Sequence, residues 1–162
     1  MLYEYKLNEK NELEYARKWA YGRNPAFLDF SPFGGDCTNF CSQCIYAGGA
    51  VMNYTPDTGW YYISPNDRAA AWTGVEYLYR FLTTNKGAGP FGEEAELYKA
   101  KPCDIIQLGN AEGFYHSLFV VGVIDGIIYV SAHTNDTYFT PLESYYYERA
   151  RCIHIKGARK WH

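Results

Sequence analysis

Several features are missing from the sequence, and each absence excludes a class of protein. The N-terminus has no basic segment followed by an apolar run, and no apolar run is long enough to span a membrane. No cluster of lysine or arginine occurs, and the net charge is −3, which argues against a nucleic-acid or anionic-membrane partner. We therefore expect no nucleic-acid partner, no membrane insertion and no export signal, so that the default location is cytoplasmic.

The cysteines lack the pattern of a secreted disulfide framework. Their number, five, is odd, and three of them fall within residues 37–44. This indicates a reducing compartment, although a trimmed extracellular domain has the same pattern. A chain of 162 residues is long enough to bury a core without such cross-links, and we expect a single domain over residues 1–162.

What the sequence does contain is a conspicuous stretch over residues 34–49, GGDCTNFCSQCIYAGG. Glycine pairs at both ends predict one short helix between them, to about Tyr46, with Cys37 in its first turn. Free backbone N–H groups and the helix dipole favour a thiolate there. Asp36 is predicted to be the N-cap residue, and Asn39 to support the site.

The same stretch has a competing interpretation as a metal site. Cys37, Cys41 and Cys44 have the C-x3-C-x2-C spacing of the cluster loop in radical S-adenosylmethionine enzymes, but Gln43 stands where those enzymes generally carry an aromatic residue. If the segment is helical, the three cysteines share one face, and Cys41 and Cys44 are predicted to be buried packing residues. Zinc is no better supported, because a second closely spaced cysteine pair is missing. We expect no metal and no cofactor.

The rest of the chain predicts helices followed by an antiparallel sheet. Helical spacing covers residues 9–21, where Asn11 and Glu14 form a possible capping pair, and a second helix starts at a T-G-V-E capping box at Thr73. Residues 85–92 are predicted to be a flexible loop, and the acidic residues 93–99 a short helix. The strand-like segments are 104–108, 116–124, 127–133 and 151–155. This order is an α+β layout.

Two histidines lie on the arms of a predicted hairpin. Asp125-Gly126 is a strong turn signal, and a two-residue turn there places His116 opposite Asn135 with His133 on the same face. A bulge that shifts the register by one residue would bring Asp136 opposite instead. A histidine held by a polar partner is the base that a cysteine nucleophile needs, so Cys37 and His116 are candidate catalytic residues. His154 is predicted to pack in a strand, and His162 to fray.

The sequence also resembles a known family. The upstream EYARKWAYGRNP, the helix segment GGDCTNFCSQCIYAGG, and the later PCDIIQL, HSLFVVGV and SAHTND resemble the bacterial putative amidase domain of the papain-like and NlpC/P60 group. The likeness runs from about residue 13 to the final strand. Two positions depart from the usual pattern, since Cys41 replaces an aliphatic residue and Cys103 replaces a glycine.

This resemblance implies a papain-like, NlpC/P60-type fold, in which the nucleophile starts a central helix packed on an antiparallel sheet. It implies an amidase or peptidase that forms a thioester on Cys37, uses His116 as the base and hydrolyses peptides or muropeptides of the bacterial cell wall. The third polar residue is His133 by analogy with NlpC/P60 enzymes, or Asn135 by analogy with papain-like ones. Action at the cell wall would then follow release or trimming.

Aromatic residues are the remaining candidates for substrate binding. They make up 19% of the chain, which suggests stacking surfaces for sugars or peptides as well as a core. Trp60, Tyr61 and Trp72 are predicted to line a substrate groove, with core packing as the alternative for each of them. A non-catalytic peptide- or glycan-binding module on the same fold remains the alternative function.

Overall fold

The computed structural model describes all 162 residues, Met1–His162. Four α-helices and nine β-strands form the fold. The helices are α1 (Glu9–Trp19), α2 (Cys37–Ala47), α3 (Ala70–Thr73) and α4 (Val75–Thr84). The strands are β1 (Leu2–Tyr5), β2 (Tyr62–Ser64), β3 (Asp67–Arg68), β4 (Gly89–Ala95), β5 (Ile105–Asn110), β6 (Gly113–Ile124), β7 (Ile127–Ala132), β8 (Thr137–Pro141) and β9 (Arg149–Trp161). None of the helices combines the length and hydropathy needed to cross a membrane.

Seven strands form one antiparallel sheet, and the long strand β9 organises it. The order is β1-β9-β5-β6-β7-β8, and β4 also pairs with β9. Side chains alternate between the two faces of the sheet. On one face Ile105 and Phe119 pack with residues of α2 and α4, and on the other Ile106 and Leu118 join a smaller apolar cluster. The α+β prediction is confirmed at this level.

The β6–β7 hairpin forms as predicted at its turn but not along its length. Asp125 and Gly126 have positive φ values of 52° and 78°, and Ile124 pairs with Ile127. A bulge at Val121 then shifts the register by one residue. Such a shift moves every later side chain to the other face. The predicted pairing of His116 with Asn135 is therefore wrong, and the bulge shifts the register away from Asp136.

The two capping pairs predicted for α1 and α4 are also wrong. The N-cap of α1 is Asn8, whose side chain accepts a hydrogen bond from the Asn11 N–H at 3.0 Å. Thr73 ends α3 instead of capping α4, and its hydroxyl accepts a hydrogen bond from Arg68 Nε at 3.2 Å. Thr73 still belongs to the helical backbone of α3, and the extended backbone of the N-cap position of α4 falls to Gly74, with φ of −109° and ψ of 131°.

The segment predicted as a flexible loop and an acidic helix contains strand β4. Its residues pair with β9 from Gly89 opposite Arg159 to Ala95 opposite Cys152. Gly92 permits this contact, since a Cβ atom there would lie 2.2 Å from the carbonyl oxygen of His154. Pairing with the exposed edge of a 13-residue strand overrides the local helical preference of the acidic residues.

Candidate active site

Cys37 is the first residue of α2, as the glycine turn predicts. The turn needs left-handed backbone at Gly34 and Gly35, with φ of 102° and 116°, which glycine adopts without strain. The thiol is 7% exposed. Its sulfur accepts a hydrogen bond from the backbone N–H of Ser117 in β6, and the Thr38 hydroxyl lies 3.8 Å away. The start of α2 is thereby joined directly to the strand that carries His116.

Burial raises the pKa of the Cys37 thiol above its ordinary value. The hydrogen bonds from Ser117, Thr38 and the backbone of Cys37 act in the opposite direction but are outweighed by burial. The expectation that the helix start alone favours a thiolate is therefore wrong for the resting protein, which holds Cys37 as a neutral thiol. Activation needs a base close to the sulfur.

His116 occupies the opposite side of β6 from Ser117. It pairs with Leu108 in β5, and its ring centroid lies 6.1 Å from that of Tyr145. Burial lowers the pKa of His116 to about 4, so the imidazole is neutral at pH 7. No charged partner contributes to that shift. His116 therefore has the protonation state that a general base requires.

Cys37 and His116 line the same open cleft, which has a volume of about 800 Å³. Asn135 and Asp136 also line it, so that the structure brings together four of the residues considered from the sequence. The remaining lining residues are Arg23, Ser31, Gly34, Gly35, Tyr115, Thr134, Thr137 and Tyr145. Most of these residues carry hydroxyl, amide or charged groups, as suits a polar substrate.

The structure places His133 against Asp36 and not against His116. The bulge at Val121 puts His133 on the α2 face, where its ring stacks on Phe40 at 4.2 Å. Nδ1 makes a short hydrogen bond to Asp36 Oδ2, and Nε2 lies 2.8 Å from the carbonyl oxygen of Trp19. Both ring nitrogens are therefore engaged in contacts away from the cleft.

Asp36 occupies the N-cap position of α2, as predicted, but its side chain makes no capping hydrogen bond. Its buried carboxylate accepts hydrogen bonds from the Phe30 N–H at 2.8 Å and from Asn39 Nδ2 at 2.9 Å, in addition to its contact with His133. The Asn39 side chain in turn accepts one from Trp72 Nε1 at 2.9 Å. These contacts fix the turn from which Cys37 emerges, and the predicted supporting role of Asn39 agrees with this geometry.

Arg23 is a cleft residue that sequence reasoning missed. Its guanidinium donates two hydrogen bonds to the Asp136 carboxylate, at 2.8 and 3.1 Å, and its Nε lies 3.1 Å from Asp29. It is also 3.4 Å from Asp36. No local signal marks this contact, because Arg23 and Asp136 are separated by most of the chain.

The predicted aromatic groove does not form. Trp60 and Trp72 have no exposed surface and contact each other in the core as a tilted pair with ring centroids 4.5 Å apart, so their role is packing and not substrate binding. Tyr61 is half-buried and does not line the cleft. Cys41 and Cys44 lie in the same core cluster as fully buried side chains, as predicted from their helical spacing.

Comparison with known proteins gives a family match and a sequence relative. A sequence profile of the family described as "Putative amidase domain" matches residues 6–156. "Uncharacterized protein YhbB" of Bacillus subtilis (strain 168) is 32% identical over 131 residues. The alignment covers 77% of this chain and 40% of that protein, so the chain spans well under half the length of this relative. No solved structure matches.

Proposed function

Because the chain belongs to the family described as "Putative amidase domain", we propose that it is a hydrolase of the cysteine amidase or peptidase type, in one domain with a papain-like arrangement. The observation that carries the proposal is the meeting of Cys37, at the start of α2, with His116 of β6 in one cleft. A cysteine at a helix start, packed on an antiparallel sheet that supplies a histidine, supports acyl transfer.

The reaction proceeds in two halves. The Cys37 sulfur attacks the amide carbonyl carbon while its proton passes to His116, and the carbon–nitrogen bond then breaks as His116 gives that proton to the leaving amine. Water next attacks the thioester and loses a proton to His116, and the acid leaves as that proton returns to the Cys37 sulfur. The backbone N–H of Cys37 is the donor proposed for the oxyanion.

The resting protonation states of Cys37 and His116 determine when the thiol proton is transferred. Burial keeps Cys37 as a thiol and His116 as a neutral imidazole. The proton is therefore transferred as the substrate binds and is attacked, and no thiolate–imidazolium pair is required beforehand. The local hydrogen bonds to the sulfur support this step because they stabilise the negative charge that develops on it.

We assign the third polar position to Asn135 in preference to His133. The support is that Asn135 lines the cleft with His116, whereas both ring nitrogens of His133 are engaged by Asp36 and Trp19. The assigned role is to hold the imidazole in the orientation that receives the thiol proton. Asp136 is less suited to it, since its two oxygens are already bound to Arg23.

The proposed substrates are peptides of the bacterial cell wall, on the strength of the family resemblance. The test is incubation with a panel of muropeptides and small acyl amides, with the products identified by mass spectrometry. We expect cleavage by the wild type, and at least a 100-fold loss in Cys37→Ala and His116→Ala. Cys103→Ser, at a buried cysteine outside the cleft, is the matched control and should keep wild-type activity. Binding of panel members without cleavage contradicts the proposal and favours a non-catalytic binding module.

A further inference from the structure

A continuous row of polar side chains runs from Cys37 across the α2 face of the sheet. Thr38 Oγ1 lies 2.9 Å from Ser117 Oγ, which lies 3.2 Å from Gln107 Nε2. Gln107 Oε1 accepts hydrogen bonds from Arg151 Nε at 2.9 Å and Nη2 at 2.7 Å. Thr38, Ser117 and Gln107 are at most 1% exposed. A buried row of this kind that ends at the proposed nucleophile has an explanation beyond packing.

The chemistry of arginine fixes the direction of the hydrogen bonds that Gln107 makes. A guanidinium only donates, so the oxygen of the Gln107 amide must face Arg151 and its NH₂ group must face Ser117. Ser117 Oγ accepts from that NH₂, and its own proton can be donated to Thr38 Oγ1. Either atom can be the donor in this bond, and the same holds between Thr38 Oγ1 and Cys37 Sγ, which lie 3.8 Å apart. When Ser117 donates to Thr38, the Thr38 O–H is left for the sulfur, and the row ends with a donor there.

Arg151 and Gln107 are held in place by further contacts, so the direction of the hydrogen bonds between them does not reverse. Its guanidinium lies between the rings of Tyr79 and Phe114, 3.5 and 3.8 Å from their centroids, and its side chain is 9% exposed. Nη2 also donates to Glu76 Oε2 at 2.8 Å. Gln107 Nε2 has a second acceptor in the Val75 carbonyl oxygen at 2.9 Å, which opposes a flip of the amide.

We propose that Arg151, Gln107, Ser117 and Thr38 form a one-directional hydrogen-bond relay that presents the Thr38 hydroxyl proton to the Cys37 sulfur. They are positioning residues, since they act on the nucleophile and touch no substrate. Ser117 contributes twice, because its backbone N–H donates to the same sulfur. The relay offsets part of the cost of placing a thiolate in a buried position. The relay rests on the proposed function only for its role in catalysis. Its effect on the reactivity of Cys37 is measurable without a substrate.

The test is the pH dependence of carbamidomethylation of Cys37 by iodoacetamide, with the modified peptide identified by mass spectrometry. Thr38→Val keeps the volume and removes the donor, so we expect an about tenfold lower rate at pH 7, which corresponds to a midpoint about one pH unit higher. Thr38→Ser restores the hydroxyl and should stay within about twofold of the wild type.

Gln107→Glu tests the direction of the relay. A glutamate keeps the bond to Arg151 but gives Ser117 only an acceptor, so the serine proton turns toward residue 107 and Thr38 must donate to Ser117. We expect the same loss of Cys37 reactivity as in Thr38→Val, and no further loss in the double variant Thr38→Val/Gln107→Glu. A direct effect of the new carboxylate on the thiol would instead add to the loss in Thr38→Val. Ser131→Ala is the control, since it removes another buried serine hydroxyl, one that lies 3.3 Å from the Phe139 N–H, and should keep the wild-type profile.

Two results overturn the relay. One is a wild-type pH profile in both Thr38→Val and Gln107→Glu, and the other is a loss in Thr38→Ser equal to that in Thr38→Val. Circular dichroism of each variant checks that it is folded, and the isosteric pair at Thr38 decides the matter if Gln107→Glu does not fold. Full amide hydrolysis by Cys37→Ala contradicts the proposed function and leaves the relay result unaffected. The other titratable groups around Cys37 stay unchanged in these variants: Arg23, Asp36, Cys41, Tyr115, His116, Asp136 and Tyr145.

Discussion

The imidazole of His133 is hydrogen-bonded to the carboxylate of Asp36, the residue immediately before Cys37. Both side chains are at most 1% exposed, and they join the end of β7 to the turn that starts α2. The pair therefore fixes the position of the proposed nucleophile from the side of the protein opposite to His116. Its expected contribution is to stability and geometry, and not to proton transfer.

Replacement of His133 tests that role. In His133→Leu the Asp36 carboxylate loses a buried partner, and we expect the free energy of unfolding to fall by roughly 3 kcal/mol. Urea denaturation at pH 7 measures the change. Asn135→Gly is the control, since Asn135 is exposed two residues further along and glycine keeps its left-handed backbone, with φ of 53°; it should stay within about 0.5 kcal/mol of the wild type. An equal loss in the free energy of unfolding for the two substitutions would contradict the proposal that the His133–Asp36 pair fixes the start of α2.

The low pKa of His116 predicts a pH dependence of stability. Burial lowers it from the ordinary value of 6.5 to about 4, so between these values the unfolded chain binds more protons than the folded one. The free energy of unfolding should therefore rise by up to about 3 kcal/mol as the pH increases through this window. Urea denaturation at pH 4.5 and pH 7 measures this slope, which His116→Gln should reduce. His162→Gln, at the exposed terminus, should leave it unchanged.

Glu12 predicts the opposite dependence, between pH 4.5 and about 9. It is 1% exposed, its Oε1 has no hydrogen-bond partner, and burial together with the nearby charge of Glu9 raises its pKa from 4.5 to about 9. The folded chain thus binds the proton more tightly, and stability falls as the pH rises from 4.5 toward 9.

Glu12→Gln removes this proton uptake and keeps the side-chain shape. The variant should gain stability relative to the wild type as the pH rises, by up to about 4 kcal/mol between pH 4.5 and 7.5, at about 1.4 kcal/mol for each pH unit. Unfolding in urea at pH 5 and pH 8 gives the difference. Glu14→Gln, exposed on the same helix, should show no such change, and a pH-independent difference for Glu12→Gln would contradict the burial argument.

Trp72 separates a packing role from a substrate-binding role. Trp72→Phe leaves the Asn39 side-chain oxygen without its donor and opens space in the core, so we expect a loss of about 2–4 kcal/mol in the free energy of unfolding. KM for any cleaved substrate should stay unchanged. A large increase in KM with unchanged stability would show that Trp72 binds substrate and would contradict the packing role. Tyr61→Phe, at a half-buried tyrosine, serves as the control for both measurements.

Local signals were sufficient for the parts of the fold that depend on neighbouring residues. The glycine turn predicts that α2 begins at Cys37, the Asp125-Gly126 pair predicts the hairpin turn, and helical spacing predicts the burial of Cys41 and Cys44. Each of these depends on backbone preferences or on periodicity within a few residues. The meeting of Cys37 and His116 in one cleft depends in addition on the packing of α2 against β6, which no local signal reports.

Long-range contacts account for what sequence reasoning missed. The bulge at Val121 is marked in the sequence only by Gly122, an isolated glycine within the strand, and it places His116 and His133 on opposite faces of the sheet. The partners of Asp36 come from distant segments, so the residue appeared to be a simple cap. Arg151 and Gln107 lie on neighbouring strands with no distinguishing motif, and only the sheet order places them in one row with Ser117.

Trapping of an acyl-enzyme tests most directly whether Cys37 is the nucleophile. The wild type is mixed with an activated acyl donor, a p-nitrophenyl ester, quenched in acid and digested for mass spectrometry. We predict one acyl group on the peptide that contains Cys37, its removal by neutral hydroxylamine as expected of a thioester, and its absence from Cys37→Ala. His116→Ala should form the adduct more slowly than the wild type. An acyl group on a different residue, or equal acylation of Cys37→Ala, would contradict the assignment.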